Sequence, residues 1–397
     1  MSGSDAGTSM IPALVQTIFR EALEQGVAEI HAEPRPGRGV IRFREHGELR
    51  EHTSLNPLTY SEFVNHMKAL CAEQIVPDDP RLPQTGRLSL MIDESAEGPL
   101  EISLQTLPVH GGEKLLLRIL QADSRDWTLD DLGFSAANLT LYREAIARPT
   151  GMIIHAGPTG SGKTTSLYAA VGALDLARKS ATSVEWALER IIPDLNQHVV
   201  NRDIGGSFAD SLRSIMRQSP DIVLVGKLED TETVDLALGL AAGALVFGSI
   251  HTSDGASTLT RFTDMGMESF LVSSAVRLVC AQRLIRMLCD CKEPRPPTEA
   301  ERLLIRQALG EGEPVDSLFR TVGCKSCNDG YGGLIGVQEI FIQDEEISAL
   351  VVKGTSPGEL RQVARRRGMR TLFQDAMTKV LEGKTTVEEA LHRVPSE

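Results

Sequence analysis

The chain has 397 residues, more than a single hydrophobic core usually holds, so we expect two or three domains. Its composition, with 41% hydrophobic and 24% charged residues, is that of a globular protein rather than a disordered or fibrous one. The formal net charge of -13 argues against non-specific binding of nucleic acid, which requires clustered Lys and Arg.

The amino-terminal residues 1–122 mix helix and strand signals and are predicted to form a small α/β domain. Apolar side chains between Ile11 and Gln25 follow helical spacing. Three short apolar runs are predicted strands: Ile41 to Phe43, Leu100 to Leu104 and Leu115 to Ile119. The polar and acidic residues 123–133 are predicted to be a linker.

Residues 134–397 are predicted to form a second α/β domain. Apolar strands alternate there with helical stretches, a pattern typical of a parallel sheet covered by helices. The predicted strands are Met152 to Ala156, Ile222 to Val225 and Leu245 to Ile250. The domain includes an insert with four cysteines at 289–334 and a helical, basic tail at 356–397.

No targeting or membrane-spanning segment is predicted. The first ten residues lack the charged start and apolar run of a signal peptide. The longest uncharged apolar stretch, residues 236–250, is shorter than the ~20 residues that a membrane span requires. We therefore expect a cytoplasmic protein whose six cysteines do not form disulfides.

A phosphate-binding loop is the clearest motif in the chain. It follows an apolar strand (MIIHA), precedes a predicted helix (TTSLYAAVGAL) and fits G-x-x-x-x-G-K-[ST]. Its backbone N–H groups and the helix N-terminus suit a phosphate, Lys163 is predicted to reach the β- and γ-phosphates, and the Thr164 hydroxyl is predicted to hold Mg²⁺. The predicted nucleotide-binding residues are Gly157, Pro158, Thr159, Gly160, Ser161, Gly162, Lys163, Thr164 and Thr165.

Several ordered motifs resemble the secretion ATPases, the hexameric motors of type II secretion and type IV pilus assembly. They are GPTGSGKTTSLYAA, IGGSFADSLRSIMRQSPDIVLVG, GSIHTSDGASTLTRFTDMGM and AQRLIRMLC, with EIHAEP, RFREHGELR and RLPQTGRLSL upstream and GCKSCNDGYGGLIGVQEI and GMRTLFQDAMTKVLEGKTTVEEAL downstream. The resemblance implies a RecA-like P-loop core, ATP and Mg²⁺ as cofactors, and a homo- or hetero-hexameric ring. It also implies a partner at the inner membrane, a platform protein through which the chain is peripherally associated. Because the small α/β domain begins almost directly at the start of this sequence, we do not expect the further N-terminal docking domain of longer members.

The family's acidic motifs are altered in this chain. The resemblance places Glu185 and Glu189 at the first and last positions of the acidic box, where Trp186 and Ala187 replace the usual Asp and Pro. Glu185 is expected to position Mg²⁺ or water. His251 matches the histidine that senses the γ-phosphate in this family.

Lys227 stands where the family has the glutamate that activates water, and Glu229 stands where it has an arginine. A lysine is a cation at pH 7 and only donates hydrogen bonds, so it cannot act as the general base unless its pKa falls by several units. Two alternatives remain at this point. Either the swapped pair keeps a local ion pair of reversed polarity, or Glu229 supplies the missing carboxylate.

Arg87 and Arg118 match stretches of the family's N-terminal domain from which arginines reach the nucleotide of a neighbouring subunit, and Ser103 stands where a further arginine is usual. The alternative is that both arginines are solvated surface residues.

Four cysteines form C-x-C and C-x-x-C pairs that suit a structural Zn²⁺: Cys289, Cys291, Cys324 and Cys327. The alternative is that they are free thiols. Cys71 and Cys280 lie in apolar helical contexts and are predicted to be core residues.

Three functions follow from these observations. The first is an ATP-binding ring subunit that couples ATP binding and hydrolysis to pilin assembly or protein export. The second is a regulatory or structural subunit of the same ring that binds ATP but hydrolyses it poorly, which Lys227 and Trp186 favour. A zinc-dependent nucleic-acid-binding protein is the third, and the acidic charge argues against it. Pilus and secretion systems are both compatible with the sequence.

Overall fold

A computed structural model describes residues 10–45, 47–71, 75–76, 81–92, 99–120, 126–201, 205–310, 315–325 and 327–395. The chain divides into two compact units, Met1–Arg125 and Asp126–Glu397. In the described part of the chain, no helix combines the length and apolar character that a membrane crossing requires.

The described residues of the first unit form an antiparallel six-stranded sheet with strand order β3-β2-β1-β6-β5-β4. Two helices pack against it around a core that includes Phe19, Phe43 and Phe63. The elements are α1 (Met10–Glu24), β1 (Glu29–Arg35), β2 (Arg38–Glu45), β3 (Glu48–Leu55), α2 (Pro57–Ala69), β4 (Gln84–Leu90), β5 (Leu100–Val109) and β6 (Gly112–Leu120). The predicted helix and all three predicted strands of this unit are confirmed.

The described residues of the second unit include a seven-stranded sheet with strand order β15-β12-β7-β11-β10-β8-β9. Its first elements are α3 (Ala136–Ile146), β7 (Gly151–Ala156), α4 (Lys163–Gly172), β8 (Ala181–Glu185), β9 (Asn196–Val199), α5 (Phe208–Met216), β10 (Ile222–Val225), α6 (Thr231–Leu240), β11 (Leu245–Ile250), α7 (Gly255–Asp264), α8 (Ser269–Ala275) and β12 (Val276–Leu288). The remaining elements are β13 (Glu293–Arg295), α9 (Glu299–Leu309), β14 (Leu318–Arg320), β15 (Tyr331–Ile342), α10 (Glu345–Val352), α11 (Pro357–Arg366), α12 (Leu372–Leu381) and α13 (Val387–Arg393).

The central strands of this sheet are buried on both faces because successive side chains point to opposite sides. Ile154 and Val223 lie in the core formed with α5 to α8, whereas Ile153 and Leu224 lie in the core formed with α3 and α4. Helices therefore cover both faces, as an α/β fold requires. The three predicted strands of this unit are confirmed as β7, β10 and β11.

The prediction of a wholly parallel sheet is wrong at one edge. Strands β9, β8, β10, β11, β7 and β12 are parallel, but β15 pairs antiparallel with β12. The insert returns the chain to the end at which β12 stops, where Leu288 pairs with Tyr331. The strand that follows must run back along β12, so the sheet is mixed.

Three further predictions differ from the structure. Residues 121–125 lie outside the described residues, but Leu129–Leu132 form a 3₁₀ helix whose leucines are buried in the second unit's core, so this part of the predicted linker belongs to that unit. Cys280 is buried in strand β12, whereas a helix was predicted. The prediction was wrong because a short apolar run does not distinguish a buried strand from a buried helix. The insert contains α9, for which no helix was predicted.

Candidate nucleotide and metal sites

The phosphate loop joins the fully buried strand β7 to helix α4. Gly160 and Gly162 have φ angles of 77° and 82°, in the left-handed region that favours glycine. Gly162 is the residue that precedes α4, so the loop ends directly at the helix N-terminus. Pro158, Thr159 and Gly160 are exposed, while Thr164 and Thr165 are half-buried in the first turn of the helix.

The Lys163 side chain folds back over its own loop. Its Nζ donates hydrogen bonds to the carbonyl oxygens of Gly157 at 2.8 Å and Pro158 at 2.7 Å. Burial, with added repulsion from Lys227 and Arg283, lowers the pKa of Lys163 to about 8. A cation held at the start of a helix by neutral carbonyl groups is well placed to receive an anion.

Glu185, at the end of β8, lies next to this helix but is not open to solvent. It is 3% exposed, and its two carboxylate oxygens accept hydrogen bonds from Ser183 Oγ at 2.5 Å and Tyr168 Oη at 2.5 Å. Burial raises the pKa of Glu185 above its usual value. Tyr168 was not predicted as a site residue, and its position in the helix after the phosphate loop is the sequence feature that points to it.

The rest of the acidic box lies in the loop after β8. The Glu189 side chain is exposed, and its backbone N–H donates to Tyr168 Oη at 3.3 Å. Trp186 packs edge-on against Phe208 with ring centroids 4.7 Å apart. Trp186 therefore contributes to packing on the α5 side of the sheet.

Lys227 and Glu229, after β10, form an ion pair with 2.9 Å between Nζ and Oε1. This is the ion pair of reversed polarity that the sequence left as one alternative. Ser249 Oγ donates to the Gly226 carbonyl oxygen, and the Leu228 N–H donates to the Ser249 carbonyl oxygen at 2.8 Å. These bonds join the ends of β10 and β11.

His251 follows β11 and is exposed. Its pKa is lowered by partial burial and by the positive charges of Lys163 and Lys227. Lys163, Lys227 and His251 therefore share one electrostatic environment at the ends of β7, β10 and β11. The positive charges of Lys163 and Lys227 favour a polyanionic ligand, and the lowered pKa leaves His251 a neutral imidazole that can donate a hydrogen bond.

The two predicted arginines of the first unit lie in one row of its sheet. Arg87 on β4 is directly opposite Ser103 on β5, and Ser103 is directly opposite Arg118 on β6. Arg87 is exposed, and Arg118 lies 3.6 Å from Glu29 across an ion pair. The structure thus brings both arginines and the replaced position Ser103 together across three neighbouring strands.

The four cysteines of the insert converge. Their Sγ atoms all lie within 4.8 Å of one another, with 3.9 Å between Cys289 and Cys324 and 3.8 Å between Cys291 and Cys327. Four thiolates at ~2.3 Å from a tetrahedral zinc would be ~3.8 Å apart. The site can therefore hold a metal ion despite its short C-x-C pair.

The other two cysteines are core residues, as predicted. Cys71 and Cys280 are both buried, and burial raises the pKa of each thiol, to about 11 for Cys71. Cys71 lies in the first unit's core and Cys280 in the core of the second unit that includes α3 and α4, so neither belongs to the cluster.

A cleft of about 620 Å³ lies beside α4. Its lining includes Trp127, Arg143, Tyr168 and Arg190 but no residue from Gly157 to Thr165. Arg190 pairs with Asp126 at 3.1 Å, and Arg143 pairs with Asp130 at 2.6 Å. The arginines of this cleft are neutralised within it, in contrast with the cations at the phosphate loop.

Comparisons with known proteins agree with these observations. The type IV pilus assembly ATPase PilB of Thermus thermophilus is 36% identical over 386 residues, which are 96% of this chain and 42% of that protein. The type II secretion system protein HxcR of Pseudomonas aeruginosa is 35% identical over 95% of this chain and 76% of its own length. The type II secretion system protein E of Aeromonas hydrophila is 36% identical over 95% and 74%. The chain thus spans less than half of the first relative and about three quarters of the others.

Solved structures show the same fold. The ATPase DotB of Legionella pneumophila has a TM-score of 0.70 at 18% identity and covers 97% of this chain and 96% of its own. The pilus retraction motor PilT with bound ADP has a TM-score of 0.62 at 22% identity, over 95% and 96%. The profile of the family described as "Type II/IV secretion system protein" matches residues 4–392. This chain therefore belongs to the type II/IV secretion system protein family.

Proposed function

We propose that the chain is an ATP-binding subunit of a secretion or pilus-assembly motor, with a RecA-like P-loop core as its second unit. The observation that carries this proposal is the buried Lys163, held at the N-terminus of α4 with Lys227 and His251 nearby. These groups suit the triphosphate. The backbone N–H groups of the phosphate loop complete the binding surface.

Mg²⁺ is the metal that this site would take, because hydroxyl and carboxylate oxygens suit a hard cation. We assign the Thr164 hydroxyl as its ligand, since Thr164 is the second residue of α4 and directly follows Lys163. Both oxygens of Glu185 accept hydrogen bonds from protein hydroxyls, so we assign Glu185 an indirect role. When bound, the metal neutralises phosphate charge and orients the γ-phosphate.

We further propose that six copies, or copies of this chain and a paralogue, form a ring in the cytoplasm. Such a ring would act on a platform protein at the inner membrane, to which it would be peripherally bound. The relatives named as pilus assembly and type II secretion proteins support this assembly without deciding between pilin and exported protein as cargo. Arg87 and Arg118 would then reach the nucleotide of a neighbouring subunit.

A second candidate is a ring subunit that binds ATP but hydrolyses it poorly. The ion pair between Lys227 and Glu229 favours it, because a cation occupies the place of the usual base and the neighbouring carboxylate is engaged. Among the remaining acids near the site, Glu185 is buried with both oxygens occupied. Glu189 is exposed in the loop after β8 and is the remaining alternative base.

We assign structural Zn²⁺ to the four cysteines, since the separations between their sulfur atoms fit a tetrahedral thiolate site. This metal would cross-link the two ends of the insert next to the end of β12 and would take no part in ATP chemistry.

Thermal unfolding of the purified protein with and without Mg²⁺ and ATP tests the proposal. ATP at 100 times its Kd should stabilise the folded state by about 2.7 kcal/mol. A steady-state rate of about 1 s⁻¹ or more from this chain alone would favour the hydrolysing motor over the impaired subunit. No shift in Tm at millimolar ATP would contradict both candidates.

A further inference from the structure

A buried glutamine connects the sheet to the phosphate loop. Gln282 lies on β12 and is 2% exposed. Its Nε2 donates to the Ser161 carbonyl oxygen at 2.8 Å, and its Oε1 accepts from Ser166 Oγ at 2.8 Å. One carboxamide therefore binds the middle of the loop with one end and the first turns of α4 with the other.

The loop lies in direct contact with this strand. A Cβ atom added to Gly162 would be 2.7 Å from Gln282 Nε2, and one added to Gly157 would be 2.6 Å from the Gln282 carbonyl oxygen. Neither position has room for a side chain. The path of the loop is therefore set by contacts with Gln282 as well as by its own backbone preferences.

The next residue of β12 contacts the second loop of the site. Arg283 donates from Nη2 to the Ser253 carbonyl oxygen at 3.2 Å and from Nη1 to the Gln282 carbonyl oxygen at 2.9 Å. Ser253 lies two residues after His251. Adjacent residues of β12 thus support the phosphate loop and the histidine loop.

We propose that Gln282 is a positioning residue that holds the phosphate loop in its anion-binding shape before nucleotide arrives. This inference rests on the proposed function, that the loop binds ATP. A loop that contains Gly157, Gly160 and Gly162 has many accessible conformations, and ordering it on binding costs free energy. The bond that the buried carboxamide donates to Ser161 and the bond that it accepts from Ser166 restrict those conformations in the free protein, so less ordering remains when the ligand binds.

The test compares Gln282→Met with Gln343→Met, because methionine keeps the length of the side chain and removes its hydrogen bonds. Gln343 is a matched control. Gln343 is also buried and directly follows the last residue of β15. Its Nε2 donates to the Ser273 carbonyl oxygen at 2.9 Å. Both variants lose a buried amide, but only Gln282→Met changes the support of the loop.

Calorimetric titration with Mg·ADP and Mg·ATP should show Gln282→Met binding both nucleotides at least about tenfold more weakly than the parent. Gln343→Met should leave both Kd values within about twofold of the parent, and its Tm reports what the loss of a buried amide alone does to stability. Hydrogen exchange of backbone amides in 157–165 should be faster in Gln282→Met alone. A third variant, Gln282→Glu, retains the acceptor for Ser166 but lacks the donor to Ser161, and it should also bind weakly.

The outcomes separate the two proposals. If the parent binds nucleotide and Gln282→Met binds it equally well with unchanged loop exchange, the positioning role is wrong and the proposed function stands. Equal weakening by Gln343→Met would also overturn the positioning role, because general destabilisation would then account for the loss. A parent that binds no nucleotide would overturn both.

Discussion

The ends of β7 and β10 face the same site but differ in how far they keep the family's chemistry. After β7, the phosphate loop is intact and Lys163 is held over it by two carbonyl groups. After β10, the expected glutamate is replaced by Lys227, which is paired with Glu229. Both strands are fully buried, so one sheet positions the residues that match the family pattern and those that depart from it. Under the proposed function, anion binding and water activation would lie on separate strands and could change independently.

The largest expected effect concerns the binding side. Lys163→Ala removes the buried cation at the start of α4, and we expect the Tm shift caused by ATP to disappear. Lys353→Ala, at the exposed end of α10, is the control and should keep the full shift. If the Lys163→Ala protein still binds ATP, the phosphate loop is not the binding element, and the proposed difference between the ends of β7 and β10 is wrong.

The second prediction concerns the altered side. Lys227→Glu restores a carboxylate after Gly226 but places it beside Glu229, where the present ion pair would become a repulsion. The double variant Lys227→Glu with Glu229→Arg restores an ion pair of the usual polarity. We expect it to raise ATP turnover by about 10²-fold or more over the parent, and more than either single change.

Turnover should be measured with Lys163→Ala as the zero level. If Lys227→Glu, Glu229→Arg and the double variant all bind ATP yet hydrolyse it no faster than Lys163→Ala, Lys227 is not the residue that limits hydrolysis. If the parent already matches the double variant, another carboxylate is the base, and Glu189 is then the first to test.

The strands that carry the candidate site were easier to predict from the sequence than the contacts between them. The strands β7, β10 and β11 were predictable because each is a short apolar run bounded by turn residues, and the loop has a fixed spacing. Contacts between distant residues were not predictable. Tyr168 meets Glu185 across 17 residues, and Gln282 meets Ser161 across 121, so neither pair forms a local pattern. The sequence feature that pointed to the second contact was Gln282 itself, a polar residue within the apolar run of β12.

The pH dependence of binding gives the third prediction. The pKa of Lys163 is lowered to about 8 in the folded protein, from 10.5, chiefly by burial and then by Lys227. Above pH 8 the free protein loses this proton, so affinity for Mg·ATP should fall by up to about tenfold per pH unit. In the same window the unfolded chain binds the extra proton, so this group makes the nucleotide-free protein more stable as pH rises. Lys227→Glu should move the onset to higher pH, whereas an unchanged onset would contradict this coupling.

Loss of the metal should have little effect on nucleotide binding. Cys289 follows β12 seven residues after Gln282, a distance of about 23 Å along an extended strand. Metal analysis should find about one zinc ion per chain, and Cys324→Ser should lose it and lower the Tm. Cys71→Ser, a buried thiol outside the cluster, should retain the metal. A metal-free parent of normal stability would leave the cluster without this role.

The smallest effect should come from Tyr168→Phe, which tests whether Glu185 is held out of the reaction. The Tyr168 hydroxyl donates to Glu185 at 2.5 Å, and its loss leaves a buried carboxylate oxygen without that donor, at a cost of about 1–3 kcal/mol. Tyr60→Phe, which loses a hydroxyl bonded to the Glu113 carbonyl oxygen at 2.6 Å in the first unit, is the control for stability alone. Both variants should bind ATP within about threefold of the parent, because the cations at the phosphate loop are untouched. Because the Tyr168 hydroxyl also accepts from the Glu189 N–H, a gain in turnover by Tyr168→Phe alone is assigned to Glu185 only if adding Glu185→Gln removes the gain and adding Glu189→Gln does not. In that case the hydrogen bond from α4, and not Lys227, is what separates binding from hydrolysis in this chain.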